Sequence, residues 1–371
     1  MTGRIKDRYD CIVVGAGPAG LAASRELSRR GVHHLVLERG AHVGQCWRNA
    51  YDSLRLHTGK HLSALPGLRF SRTTPLFPSR NDFVTYLDDY VRHFRLPVAQ
   101  EIDVTCIRRT HEWQLDTTAG TLHTRALVMA TGLMSNPAVP SLAGQPLFQG
   151  SITHSVGYRR PEHWAGKRVL VVGVGNSGGE IASELAHHGI NVTIAVRSGA
   201  NVVPLTIAGL PVQYLATLVR QLPRPAQEWV VERIRRRNEA RRPLVLPRAP
   251  HSPLDNIPLI GFHLVDAIRA GKVSVRPAIA GFTHSGVRFA DGTVEDFDAV
   301  ILATGFRPAL QPLGDLVQTD DRGFAVRSDR VRSAQYNTLF LIGHNYDASG
   351  GLRNIARDAP LAAHQIALLL Q

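Results

Sequence analysis

A chain of 371 residues, 44% hydrophobic and 20% charged, is long enough for two domains that each bury a core. Its three cysteines, Cys11, Cys46 and Cys106, lie far apart in sequence. That spacing excludes a disulfide framework or a cysteine metal cluster and fits a reducing, cytoplasmic setting. Apolar runs are too short for a signal-peptide core or a membrane span. The net charge of +13 comes with no nucleic-acid motif, so no nucleic-acid partner is expected.

In chain order, YDCIVV (9–14) predicts a buried strand that runs into Gly15-Ala16-Gly17-Pro18-Ala19-Gly20 and then a helical stretch stopped at Gly31. Strand, glycine turn and helix together are the context in which G-x-G-x-x-G reads as a dinucleotide site. Gly15 permits the turn, Gly17 admits the pyrophosphate to the backbone, and Gly20 lets helix and strand pack closely. The following strand ends at Glu38-Arg39, with Glu38 placed 18 residues beyond Gly20 to accept from ribose hydroxyls and to repel a 2′-phosphate. This turn therefore favours an unphosphorylated ribose, as in FAD or NAD.

ALVMATG (126–132) predicts a supporting strand ending in Ala130-Thr131-Gly132. A second strand, GKRVLVV (166–172), then enters Gly173-Val174-Gly175-Asn176-Ser177-Gly178 and another helix. Its next strand ends at Arg197-Ser198, so a guanidinium stands where Glu38 stands in the first unit. A guanidinium pairs bidentately with a phosphate, and the second turn is assigned to NADPH. Six arginines between Arg233 and Arg242 read first as a solvated helix face and second as a weak membrane-surface or acidic-partner contact. AVILATG (299–305) repeats the supporting strand with Ala303-Thr304-Gly305. The fold class is α/β, with two Rossmann-like domains. An FAD domain of 1–144 and 296–371 receives an NADPH domain, 145–295, with a divergent basic insertion around 205–250.

With these motifs the chain resembles the flavin-containing monooxygenases, and within them the YUCCA-type branch. Further segments carry the resemblance: WRNAYDSLRLHTGKHLSALPG, FPSRNDFVTYLDDYVRHF and DAVILATGFRP. So does Phe148-Gln-Gly150-Ser-Ile-Thr-His154-Ser-Val-Gly-Tyr158, which matches the F-x-G-x-x-x-H-x-x-x-[W/Y] fingerprint of that family. The resemblance implies that Gln45, Trp47, His57 and Thr58 lie along the flavin and that Val104 meets the adenine through its backbone. It also implies that Gly343 through Leu352, with Asn345, passes the flavin's pyrimidine edge. His154 would couple motion of the NADPH domain to the flavin. Ser79 and Arg80 occupy the place of an active-site asparagine of animal-type members, with Asn81 following, and Arg80 is a candidate partner for a substrate carboxylate.

The implied activity takes one oxygen atom from O2 into a small organic substrate through a flavin C(4a)-(hydro)peroxide. The chemistry would be N- or S-oxygenation, or oxidative decarboxylation of a 2-oxo acid. An NADPH oxidase or flavin reductase and a Baeyer–Villiger enzyme are alternatives on the same scaffold, and a nucleotide-binding redox sensor is one from another class. A disulfide reductase needs a close dithiol beside the flavin, and Cys46 has no neighbour for that.

Overall fold

A strand whose residues are apolar on both faces needs cover on both sides, and that dictates the architecture. Arg8–Val14 is such a strand. In a computed structural model, which describes residues 5–371 except 242, 243, 253, 255, 256, 346 and 348, it is central to a seven-stranded sheet. His34–Leu37 lies parallel on one side, followed by Val98–Ala99. Gly120–Met129 lies parallel on the other side and turns antiparallel to the hairpin of Val104–Arg109 and Trp113–Thr117. The late strand Leu339–Leu341 joins in parallel at Leu127–Met129 and brings the C-terminal part of the chain into this unit. Cys11 and Val13 point into one core with the helices Pro18–Ser28 and Gly351–Leu370. Ile12 and Val14 point into the other, filled by Trp113, Leu115 and Leu339. Each fully buried aliphatic side chain contributes about 1.5–3 kcal/mol to this arrangement.

The second unit repeats the plan. Its five strands are all parallel, in the order Val273–Arg276, Asn191–Ala195, Arg168–Val172, Ala299–Leu302, Ser151–His154. The helices Asn176–His187 and His263–Arg269 cover one face; a three-stranded antiparallel ribbon, Ile279–Phe282, Gly286–Phe289 and Val294–Asp296, covers the other. Ala299–Leu302 therefore pairs within the second sheet, whereas the expected boundary at 296 puts it with the first unit. The hydrogen-bonding edge of Arg168–Val172 demands a partner, and Ala299–Leu302 supplies it.

The passage between units lies at 130–138 and 303–309. The Thr131 hydroxyl donates to the Ala309 carbonyl at 2.6 Å, and the Thr304 hydroxyl donates to the Ala138 carbonyl at 2.6 Å. The amides reciprocate, Ala309 to Gly132 at 3.0 Å and Ala138 to Gly305 at 2.9 Å. Each Ala-Thr-Gly turn is thus bolted to the segment that follows the other.

Between Asn191–Ala195 and His263–Arg269 stands the basic insertion, with helices Val212–Val219 and Arg224–Arg241 and short strand pairs that include Val202–Val203 with Leu259–Ile260. Two arginines of the longer helix pair at 2.8 Å with acids one turn away, Arg224 with Glu228 and Arg236 with Glu232, while Arg233 lies over the Trp229 ring. Arg242 lies outside the described residues. No helix among the described residues is long and apolar enough to cross a membrane.

Candidate active site

The two glycine turns are nearly superimposable in their constraints. Gly15 has φ +102°, and a Cβ there would sit 2.6 Å from the Ala130 carbonyl oxygen; Gly173 has φ +106°, and its Cβ would sit 2.5 Å from that of Ala303. A Cβ on Gly20 would fall 1.8 Å from Gly15 O, and one on Gly178 2.0 Å from Gly173 O, so both contacts exclude any side chain. At Gly17 and Gly175 a Cβ would meet nothing within 4 Å. These two residues cap the helices Pro18–Ser28 and Asn176–His187, and neither helix has a side-chain cap. Each turn therefore offers uncapped N–H groups beside open space, the arrangement that a pyrophosphate fills. Pro18, at the first helical position, lacks a donor that would be orphaned there.

Around the first turn, the Glu38 carboxylate accepts from Ala16 N at 2.9 Å and Gly40 N at 2.8 Å, which fixes it at the strand end facing the turn. Arg39 beside it is exposed. Gln45 begins a short helix, and its Oε1 is buried without a hydrogen-bond donor. Trp47 stands edge-on to Phe83, with ring centroids 4.6 Å apart. Val104 is buried under the sheet with Val14 and Leu37. A Cβ on Gly343 would come within 3.3 Å of Ala19 Cβ, so the C-terminal segment passes directly over the first turn. Thr58 abuts Gly350 at the start of the last helix, and Leu352 is buried just beyond. Tyr346 and Ala348, inside this segment, lie outside the described residues. Next to Gly343, His344 is buried with neither ring nitrogen bonded; burial, reinforced by Arg327, pushes it down to about 3. Buried polar atoms without partners, here Gln45 Oε1 and the His344 nitrogens, fit a polar ligand beside the first turn.

In the second unit, Arg197 and Ser198 are exposed just past the strand Asn191–Ala195. Arg197 makes no ion pair with a described residue and is free to meet a phosphate. Ser177 follows Asn176 in the first turn of the helix. The Asn176 amide is spent on structure: it accepts from Ile260 N at 2.8 Å and donates to Pro258 O at 3.2 Å. His154 is likewise engaged on both sides. Its Nδ1 accepts from Val156 N at 3.2 Å, which leaves Nε2 to donate to the Gly305 carbonyl at 3.0 Å. Burial holds this imidazole below its ordinary value. A ring with both nitrogens on backbone is held in place at the crossing. Gly150 is required beside it, because a Cβ there would fall 2.4 Å from the Phe148 ring.

Residues 12–241 match the family model described as pyridine nucleotide-disulphide oxidoreductase. The indole-3-pyruvate monooxygenase YUCCA1 of rice (Oryza sativa subsp. japonica) is 36% identical over 372 residues, covering 94% of this chain and 90% of its own. The rice indole-3-pyruvate monooxygenase YUCCA4 is 34% identical over 331 residues, covering 82% and 75%. The chain belongs to the flavin-containing monooxygenases, with the YUCCA-type branch. Among solved structures, the flavin-containing monooxygenase from Stenotrophomonas maltophilia has a TM-score of 0.80 at 26% identity, over 99% of this chain and all of its own.

This monooxygenase is a flavoenzyme that uses FAD and NADPH. No dithiol serves it: all three cysteines are free, and burial, then the Glu38 carboxylate, pushes the Cys46 thiol up. The Arg80 guanidinium donates to Asp52 Oδ1 and the Ala50 carbonyl, at 2.7 and 2.8 Å, contacts that compete with any pairing to a substrate carboxylate. Asn81 is exposed in the first turn of helix Arg80–Phe94, its side-chain oxygen accepting from Arg80 itself. The capping box of Ser79 with Asp82 fixes this helix start. Asn345 also has a structural task, with its amide bonded to Arg327, the Arg330 carbonyl and Asp358.

Sequence reasoning missed three groups. Glu180, on the second-turn helix, takes hydrogen bonds from Tyr51 and His57 of the first unit; burial, then Glu180, holds the Tyr51 hydroxyl well above its ordinary value. Arg220, from the insertion, pairs with Asp347 at 3.2 Å. Arg353, in the first turn of the last helix, is half-buried and has no ion-pair partner among the described residues. Burial, then Arg357 and Arg220, holds it below the ordinary guanidinium value. No motif marks any of the three, because each acts across a long sequence separation.

Proposed function

We propose that this monooxygenase catalyses oxidative decarboxylation of an aryl 2-oxo acid. The balance is R–CO–COOH + O2 + NADPH + H+ → R–COOH + CO2 + H2O + NADP+. Bound FAD supplies the reaction with oxygen, and the protein supplies positioning, charge and exclusion of water. The observation that carries the reading is Arg353, a half-buried cation with no described ion-pair partner, near Arg220 and at the start of the helix that meets Thr58. A half-buried guanidinium that shares Asp347 with Arg220 and lies near Arg357 gains by pairing with a further anion, and a substrate carboxylate is such an anion. The rice relatives are named as monooxygenases of indole-3-pyruvate, a 2-oxo acid that carries an aromatic ring.

In this reading each turn holds its own nucleotide. Gly15, Gly17, Ala19 and Gly20 with Glu38 hold FAD; Gly173, Gly175, Ser177 and Gly178 with Arg197 hold NADPH. Tyr51 and His57, bonded to Glu180, keep the second-turn helix in register with the flavin-side segment. His154 fixes the crossing through Gly305.

The test is turnover of phenylpyruvate with NADPH and O2, following 14CO2 release from carboxyl-labelled substrate. One CO2 and one phenylacetate per NADPH supports the reading. NADPH consumption with hydrogen peroxide as the sole product would refute it and leave the oxidase alternative.

A further inference from the structure

The insertion contains a cavity of about 150 Å³ that neither glycine turn uses. Its wall is mainly apolar, with Val203, Ala216, Val219 and Phe262 among its residues, and it also includes Arg235, Glu239 and Arg248. A mainly apolar space of this size accommodates a small flat aromatic molecule. Among its uncharged polar side chains one stands apart. Gln213 lines the cavity at 3% exposure, and its Oε1 is buried with no donor. A buried amide oxygen without a donor is costly, and an incoming N–H or O–H removes that cost.

The cavity is also next to the flavin-side segment. Helix Val212–Val219 presents Gln213, Ala216 and Val219 to it, while Tyr214 on the same helix points the other way. A Cβ on Gly59 would come within 2.8 Å of the Tyr214 hydroxyl, and Gly59 follows Thr58, which abuts Gly350. Arg220 lines the cavity and pairs with Asp347 at 3.2 Å, three residues ahead of Gly350. The helix is thus a one-layer partition with the cavity behind it, the flavin-side segment before it, and cationic Arg220 at its end.

We propose that this cavity receives the apolar body of the organic substrate, that Gln213 accepts a hydrogen bond from an N–H or O–H on that body, and that Arg220 stands where its anionic end emerges. The proposal rests on the aryl 2-oxo acid reading above and extends it to a pocket, an orientation and a specificity residue. It favours an aromatic ring system carrying a donor over the same ring system without one.

The probes are indole, a flat apolar bicycle with one N–H, and indene, its close isostere without the donor. Binding to the full-length, FAD-loaded protein is measured by calorimetry in the absence of NADPH. The wild type is expected to bind indole about tenfold more tightly than indene, because a site with an unmet polar group discriminates against the ligand that leaves it unmet. Gln213→Leu should erase that preference, and Ala216→Phe, which fills the space, should abolish binding of both. Flavin content and thermal midpoint establish that each variant is folded, and Val203→Phe is the substitute if Ala216→Phe is not. Equal affinity of the wild type for both probes, or undiminished indole binding in a folded cavity-filled variant, overturns the proposal. The two readings fail separately. Indole preference without phenylpyruvate turnover would sink the reaction and keep the pocket; turnover with an unchanged KM in the filled variant would do the reverse.

Discussion

Glu180, on the helix that opens at the second glycine turn, is hydrogen-bonded to His57 of the first unit, and the Tyr51 hydroxyl donates to the same carboxylate. One acidic residue therefore joins the NADPH-side helix to the segment beside the flavin. Glu180→Ala would leave the Tyr51 hydroxyl, which is buried, without its acceptor, at a cost of about 1–3 kcal/mol. The variant should melt earlier than wild type and show slower flavin reduction by NADPH in anaerobic stopped-flow. Unchanged values of both would mean that the contact is idle.

The two candidate anion-binding arginines should separate cleanly. Arg80→Ala removes a guanidinium that serves Asp52 and the Ala50 carbonyl, so it should lower the thermal midpoint and leave the KM for phenylpyruvate within about twofold. Arg353→Ala should raise that KM by about tenfold or more, the loss expected of a charge-assisted hydrogen bond worth about 1.5–3 kcal/mol. Steady-state kinetics on both variants decides, and the opposite pattern would restore Arg80 to the site.

Glycines one turn apart should fail in different ways. Gly20→Ala pushes a methyl into Gly15 O and should give little folded protein. Gly17→Ala meets no protein atom within 4 Å and should fold, but with much reduced flavin absorbance. Retention of full flavin content by folded Gly17→Ala would remove the pyrophosphate from that position.

Arg197 carries the choice of nicotinamide nucleotide. Arg197→Glu places there the same charge as Glu38, and should raise the KM for NADPH by at least about tenfold while affecting NADH far less. Equal effects on the two nucleotides would show that Arg197 does not meet the 2′-phosphate.

The buried histidines set an acid limit. His344 is held down to about 3 by burial, and His154 is shifted in the same direction. A histidine whose folded value lies below its unfolded value of about 6.5 binds its proton more readily when unfolded. Its stabilising contribution is therefore complete above about pH 6.5 and is lost progressively as the pH falls below that. Thermal midpoints between pH 8 and pH 5 should fall less steeply for His344→Phe than for wild type; parallel curves would contradict the assignment.

The glycine turns, the Glu38 and Arg197 strand ends and the two Ala-Thr-Gly motifs were determined by the sequence itself, because each works through backbone conformation and spacing within one local unit. Gly15 and Gly20 need only each other and Ala130 to be recognisable. Tertiary structure alone decided what lies between the units. It moved Ala299–Leu302 into the second sheet, since a strand's place is settled by which edge is left to pair. It set Arg80 against Asp52, at a helix start that a capping box on Ser79 fixes. It also brought Glu180 to His57, Arg220 to Asp347 and an unmet Gln213 oxygen into an apolar cavity. Contacts over such separations are fixed by the packing of whole elements, and no local pattern records them.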